Sequence, residues 1–178
     1  MVQQDTQPKR FVFGFAGWSG SGKTTLAEKI IAKAVENNIT IATLKHAHHH
    51  FDADVEGKDS WRHRKAGASQ TLVASDRRMA LFTEKQTPQT PQLEELLTRL
   101  DPCSWVLVEG FKKAQFAKLE IYDPELQDEP LYKTDNAIIA VIAQNPMDDC
   151  PLPYFHRDDS DGIFAFLCQK AEQEGVVS

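Results

Sequence analysis

Residues 17–25 read Gly17-Trp18-Ser19-Gly20-Ser21-Gly22-Lys23-Thr24-Thr25, which satisfies G-x-x-x-x-G-K-[ST], the pattern of a phosphate-gripping loop. The spacing has a chemical reason. Glycines let the backbone curl until successive N–H groups point inward at anionic oxygens. Lys23 then brings a full positive charge to β- and γ-phosphates, and the Thr24 hydroxyl offers a ligand to magnesium. Each charge-assisted hydrogen bond contributes roughly 1.5–3 kcal/mol, so several together hold a nucleoside triphosphate by its phosphates in the micromolar range. A carboxylate that steadies the metal through water belongs at the end of a neighbouring buried strand. Glu109, directly after Trp105-Val106-Leu107-Val108, stands at such a place. Lys23 and Glu109 are therefore expected to carry any phosphoryl chemistry, with Thr24 and Glu109 at the metal.

A second constellation is Lys45-His46-Ala47-His48-His49-His50-Phe51-Asp52-Ala53-Asp54, which holds four of the six histidines. Three readings are open. Neutral imidazole is a common transition-metal ligand, so a zinc site is conceivable, although structural zinc needs four placed ligands and no Cys is near. The run also fits a solvated polar loop. Thirdly, it follows the second predicted strand, hence the same sheet edge as the phosphate loop if the strands are parallel. From there Asp52 or Asp54 can reach magnesium through water, and Lys45 or His46 can approach the phosphates. Arg62, His63 and Arg64 follow, as cations for an anionic substrate or as one charged helix face.

These residues need a scaffold, and the apolar pattern supplies one. Phe11 to Ala16 is a short apolar run suited to a strand buried on both faces. Lys23 to Asn37 carries apolar residues at Leu26, Ile30, Ala34 and Val35, the spacing of an amphipathic helix. Ile39 to Leu44 reads as the second strand and Lys45 to Gly57 as a functional loop. A short helix is predicted over Asp59 to Ala66, stopped by Gly67, then two strands, Gln70 to Ala74 and Met79 to Thr83, about the turn Ser75 to Arg78. Thr90 is positioned to cap a helix from Pro91 to Leu100. Trp105 to Val108, Lys118 to Tyr122 and Ala137 to Ala143 read as further strands. Asp123 to Asp135 and Asn145 to Asp161 read as loops, and Gly162 to Glu172 as a closing helix. Alternating strands and helices imply an α/β, P-loop NTPase-like layered fold with a mainly parallel central sheet flanked by helices.

A chain of 178 residues without an internal repeat or linker suits a single phosphate-loop nucleotide-binding domain, with residues 1–9 a disordered leader. A formal charge of −6 argues against broad nucleic-acid or anionic-membrane binding. Three cysteines without C-x-x-C spacing suit reduced thiols in the cytoplasm. No stretch approaches the roughly 20 apolar residues that span a bilayer.

The phosphate loop, the Lys45-His46-Ala47-His48-His49 run with Asp52 and Asp54, Gly57-Lys58-Asp59-Ser60 with Ala66-Gly67-Ala68, and Val108-Glu109-Gly110-Phe111-Lys112 together resemble the MobB family, molybdopterin-guanine dinucleotide biosynthesis protein B. The resemblance spans roughly residues 11–122 and thins in the last third. It implies a homodimeric adapter that binds GTP with Mg2+ and hydrolyses it feebly. It also implies a partner, the guanylyltransferase that joins GMP to molybdopterin, or the finished molybdopterin cofactor on its way to apoenzymes. The family's phosphate-loop roles transfer onto Gly17, Ser19, Gly20, Gly22, Lys23, Thr24 and Thr25, with Ser21 inside the same run. Trp18 stands where some dimeric relatives in the wider class carry a second lysine, so no trans-acting lysine is expected.

The residues alone do not separate GTP from ATP. Lys133-Thr134-Asp135 precedes a strand and reads as a chance likeness to a guanine motif, whereas Gln144 and Asn145, at the end of a strand, are better placed to meet a base edge. The competing function is a P-loop small-molecule kinase. Such an enzyme usually has an Arg-rich lid late in the chain, and here Arg157 is the only arginine after Arg99.

Overall fold

The computed structural model describes residues 9–47, 51–87 and 89–176. In chain order the strands and helices are β1 (Phe11–Ala16), α1 (Lys23–Glu36), β2 (Ile41–Lys45), α2 (Asp59–Lys65), β3 (Gln70–Ala74), β4 (Met79–Thr83), α3 (Leu93–Leu97), β5 (Trp105–Glu109), β6 (Ala117–Ile121), β7 (Ile138–Ala143), β8 (Tyr154–His156) and α4 (Ser160–Gln173). A single 3-10 turn covers Leu131–Lys133. Contacts group the chain into two compact units, Ala47–Gln92 and the remainder.

The larger unit is built on a six-stranded sheet of order β2-β5-β1-β6-β7-β8, with every pair parallel. Side chains alternate between its two faces, and both faces are covered. Phe11, Phe13, Trp105, Leu107 and Leu119 pack with Leu26 and Ile30 of α1 and Ile163 and Leu167 of α4. Val106 and Val108 turn the other way, to Leu44, Leu93 and Phe111. Trp105 meets Phe11 and Phe13 edge-on, at centroid distances of 5.7 and 5.5 Å. Aromatic pairs in that geometry add about 0.5–1.5 kcal/mol each beyond their buried area.

Helix ends explain the boundaries. The sequence predicts β2 from Ile39, but α1 closes first. Asn38 takes a φ of 58°, its N–H donates to Val35 O, and the Ile39 N–H reaches back to Ala34 O at 2.8 Å. That is a Schellman stop with Ile39 as its buried apolar contact, so the strand starts two residues later, at Ile41. The helix predicted over Pro91 to Leu100 shrinks to Leu93–Leu97. Beyond it Arg99 and Leu100 donate to Leu96 O and Leu97 O in tight i−3 turns, and the Arg10 guanidinium takes the carbonyls of Leu97 and Leu100 at 2.7 and 3.1 Å.

Two predicted loops are corrected. Asn145 to Asp161 contains β8, a three-residue strand of partly buried side chains too short to show alternation. Asp123 to Asp135 is not simply exposed: Gln127 is buried, and the segment is tied to Glu120. Neither carboxylate oxygen of Glu120 is solvent-exposed; Oε1 accepts from Gln127 Nε2 at 2.7 Å and from Leu131 N at 2.6 Å, and Oε2 from Tyr132 N at 2.9 Å.

The smaller unit comprises α2 and the antiparallel pair β3-β4, whose bounds and turn follow the sequence expectation. Its polar centre is Arg64, which donates from Nη1 to Asp52 Oδ1 at 2.8 Å and Asp54 Oδ2 at 3.1 Å and from Nε to Glu84 Oε1 at 2.6 Å. The guanidinium lies 4.9 Å from the Phe82 ring centroid.

Candidate functional site

The loop between β1 and α1 has the shape its sequence requires. Gly17, Gly20 and Gly22 take φ values of 140°, 87° and 91°. Gly17 also has no room for a side chain, since a Cβ there would stand 2.6 Å from Ile121 O on β6. Gly22 is the N-cap of α1, and neither a capping side chain nor an acidic residue occupies the first turn. The first N–H groups of a 14-residue helix thus face the loop without a built-in anion, an arrangement that favours phosphate.

Lys23 occupies the centre. Its ammonium donates to Gly17 O at 2.9 Å and to Trp18 O, and lies 3.5 Å from Ser21 Oγ. Burial draws its pKa below the ordinary lysine value; Glu109 pulls it back up, and Lys112 and Lys45 push it further down. A partly desolvated ammonium beside two further cations gains from a polyanion.

Glu109 ends β5, next to β1 in the sheet. It pairs in register with Lys45 of β2, and Lys45 Nζ lies 3.1 Å from Glu109 Oε2. The Lys45 side chain is 70% exposed, so this pair contributes only about 0–1 kcal/mol and Lys45 is free to turn towards phosphate. His46 is held close: its N–H donates to Glu109 O at 2.9 Å and its ring stacks on Phe111 at 4.7 Å. The backbone approach is tight, since a Cβ on Gly110 would stand 2.9 Å from His46 Cβ. Gly110 and Phe111, directly after Glu109, both have positive φ, 91° and 51°; for Phe111 that is a conformation a bulky side chain rarely adopts.

The structure therefore brings Gly17 to Thr25, Lys45, His46 and Glu109 to one edge of one sheet. Thr24 and Thr25 are exposed on the first turn of α1. Asp52 and Asp54 belong to the smaller unit, where both carboxylates are engaged by Arg64. That bond holds the Asp52 carboxyl below its usual range. For Asp54 burial works upward and is outweighed by the hydrogen bonds from Ser60, Arg64 and Val55. His48, His49 and His50 lie outside the described residues. Among the described residues no three His, Cys, Asp or Glu side chains converge as a metal cage. Lys112 was not singled out from sequence as a phosphate-facing cation; only the turn after β5 places it near Lys23. Lys133-Thr134-Asp135 is structural: Asp135 Oδ2 accepts from the buried Lys118 Nζ at 2.8 Å.

A parallel sheet, covered on both faces, with a glycine-lined turn and a half-buried lysine between a central strand and its helix, defines an α/β protein of the P-loop NTPase-like class. The chain matches the family described as Molybdopterin guanine dinucleotide synthesis protein B over residues 12–144. It belongs to that family, MobB. It is similar to the molybdopterin-guanine dinucleotide biosynthesis adapter protein of Haemophilus influenzae, 40% identical over 77% of this chain and 76% of the relative. The Escherichia coli protein of the same name is 36% identical over 92% of this chain and 94% of its own length. Among solved structures, Bacillus subtilis MobB superposes with a TM-score of 0.67 at 31% identity, covering 89% of this chain and 96% of that one. The Bacillus stearothermophilus MobB homologue gives a TM-score of 0.69 at 26% identity, covering 91% and 98%. No helix among the described residues is long and apolar enough to cross a membrane.

Proposed function

We propose that this chain is a cytoplasmic GTP-binding adapter in molybdopterin-guanine dinucleotide biosynthesis, with weak GTPase activity and the molybdopterin guanylyltransferase or the molybdopterin cofactor as its partner. The adapter role rests on the family and on the names its relatives carry. The nucleotide role rests on one observation: the Lys23 ammonium sits inside the phosphate-loop turn at an uncapped helix N-terminus, with Glu109 facing it. Thr24 and Glu109 suit Mg2+, a hard cation that takes oxygen ligands and keeps several waters. Bound there with phosphate oxygens, it would neutralise charge on the β- and γ-phosphates. Asp52, the third ligand expected from sequence, belongs to the smaller unit, where Arg64 engages its carboxylate.

Slow turnover fits the chemistry of the neighbourhood, whose cations near the loop are the lysines 23, 45 and 112. Arg157, the one late arginine a kinase lid could use, is committed: its Nη2 donates to Tyr122 O at 3.0 Å and pairs with Asp123 Oδ2 at 3.0 Å. Turnover well below about 1 per second, the low end of ordinary catalysis, is expected; faster hydrolysis or transfer to an acceptor would move the protein to the kinase class. Glu109→Gln is expected to weaken GTP binding about tenfold in magnesium, the loss of one charge-assisted contact, and much less in EDTA. Equal losses in calorimetric titrations under both conditions would remove Glu109 from the metal.

A homodimer is supported by the smaller unit. Leu72 and Leu81 are cross-strand partners on β3 and β4, and with Met79 they leave an apolar surface in solvent, at 58%, 53% and 68% exposure. Apolar surface gathered on one small hairpin marks an interaction face. Leu81→Glu is expected to shift the protein to monomer in sedimentation equilibrium at micromolar concentration; an unchanged dimer would place the interface elsewhere.

A further inference from the structure

The phosphate loop has two sides in the sheet. On one side stand β5 and β2 with Glu109, Lys45 and His46, the side suited to the metal and the terminal phosphate. In a nucleotide bound with its terminal phosphate on that side, the ribose and base would run the other way, over β6 towards β7 and β8. Strands lie about 4.8 Å apart, so the ends of β7 and β8 fall roughly 10 and 14 Å from the end of β1. A purine carried beyond a ribose spans that kind of distance.

The strand ends there form one frame. Tyr122 N donates to Ile142 O at 2.9 Å, Arg157 N to Ala143 O at 3.2 Å, and Arg157 Nη2 to Tyr122 O at 3.0 Å. Leu126, in the segment after β6, lies 3.9 Å from the position of a Cβ on Gly20, so this frame adjoins the phosphate loop. Three carboxylates border it. Asp123 is taken by Arg157 and by the Glu125 N–H. Asp159 caps α4, accepting from Gly162 N at 2.8 Å. Asp158 is different: its side chain is 83% exposed and its nearest ionisable partner is His156 Nδ1 at 3.7 Å. That nitrogen also accepts the Asp158 backbone N–H, at 3.2 Å. Gln144 and Asn145 are exposed just past β7, directly after Ala143, the register partner of His156.

We infer that Asp158 reads the base of the bound nucleotide and selects guanine. This rests on the nucleotide reading above. A carboxylate offers only acceptors. Guanine presents two adjacent donors, N1–H and the 2-amino group, which match its two oxygens; adenine presents an N1 lone pair, which they repel. The carboxamides of Gln144 and Asn145 supply donors for guanine O6. A site built to receive two N–H groups discriminates strongly against a base lacking them.

The test compares GTP, ATP and xanthosine triphosphate, each with magnesium, on wild type, Asp158→Asn and Lys23→Ala. Xanthine keeps N1–H and replaces the 2-amino donor by a carbonyl, which an asparagine amide can meet. Wild type is expected to prefer GTP over ATP by at least tenfold. Asp158→Asn should lose at least tenfold in GTP affinity, gain at least tenfold for xanthosine triphosphate, and melt within about two degrees of wild type. If Asp158→Asn leaves all three affinities in their original ratio while Lys23→Ala abolishes binding, base reading by Asp158 is overturned and the phosphate site stands. If Lys23→Ala also leaves binding unchanged, both readings fall together.

Discussion

Lys23→Ala is expected to lower GTP affinity in magnesium by at least a hundredfold while leaving the thermal transition within a few degrees of wild type. The size follows from what the ammonium does. In the proposed complex it would bring a full charge to phosphate from inside the loop, and charge-assisted hydrogen bonds contribute about 1.5–3 kcal/mol each. It also organises the loop, donating to the carbonyls of Gly17 and Trp18. Removing it leaves those carbonyls without their donor and lets the N–H nest relax, so more than one contact weakens; about 2.7 kcal/mol already amounts to a hundredfold. The fold has no need of it, because the core residues of α1 are Leu26, Ala27, Ile30 and Ala34. Trp18 is more than half exposed within the loop, so its fluorescence gives a direct readout beside calorimetry. Unchanged GTP affinity in this variant would falsify the nucleotide assignment.

Glu120→Ala should be the most damaging single polar substitution in the larger unit. The carboxylate gathers three N–H groups from residues 127, 131 and 132, and each buried donor left unpaired costs about 1–3 kcal/mol. A loss of about 3–5 kcal/mol in urea unfolding is expected, the range for breaking a buried charged network by removing one member. Affinity for GTP should fall as well, because the segment freed by the substitution adjoins Gly20 through Leu126. Glu120→Gln keeps acceptors for part of the set and should lose less. A change below about 1 kcal/mol for Glu120→Ala would mean the segment holds its place by other contacts, the burial of Pro130 among them.

The legibility of this protein in its sequence divides along a physical line. Features set by neighbours in the chain were readable: the glycine spacing of the phosphate loop, the apolar period of α1, the continuous apolar runs of β1, β5 and β7, and the hairpin turn at Ser75 to Arg78. In each case the local pattern and the tertiary demand agree, because a strand covered on both faces must be apolar throughout and a phosphate nest must have glycines. Glu109 was legible for the same reason, being the first charged residue after such a run.

What remained hidden depends on partners far along the chain. Three residues of β8 carry too little pattern to declare a strand; they become one only by pairing with β7. Glu120 looks like one polar residue in an alternating strand until the segment after β6 folds back to bury it. Arg64 reads as a helix-face cation, yet it binds Asp52, Asp54 and Glu84 across gaps of 12, 10 and 20 residues, and so takes up carboxylates that spacing alone offered to a metal. Sequence by itself determined the glycine and lysine pattern of the loop of residues 17–25 and which segments build the sheet. The order of the strands, settled by long-range pairing, decided the rest: it puts Glu109 and Lys45 on one side of the loop and the ends of β7 and β8 on the other.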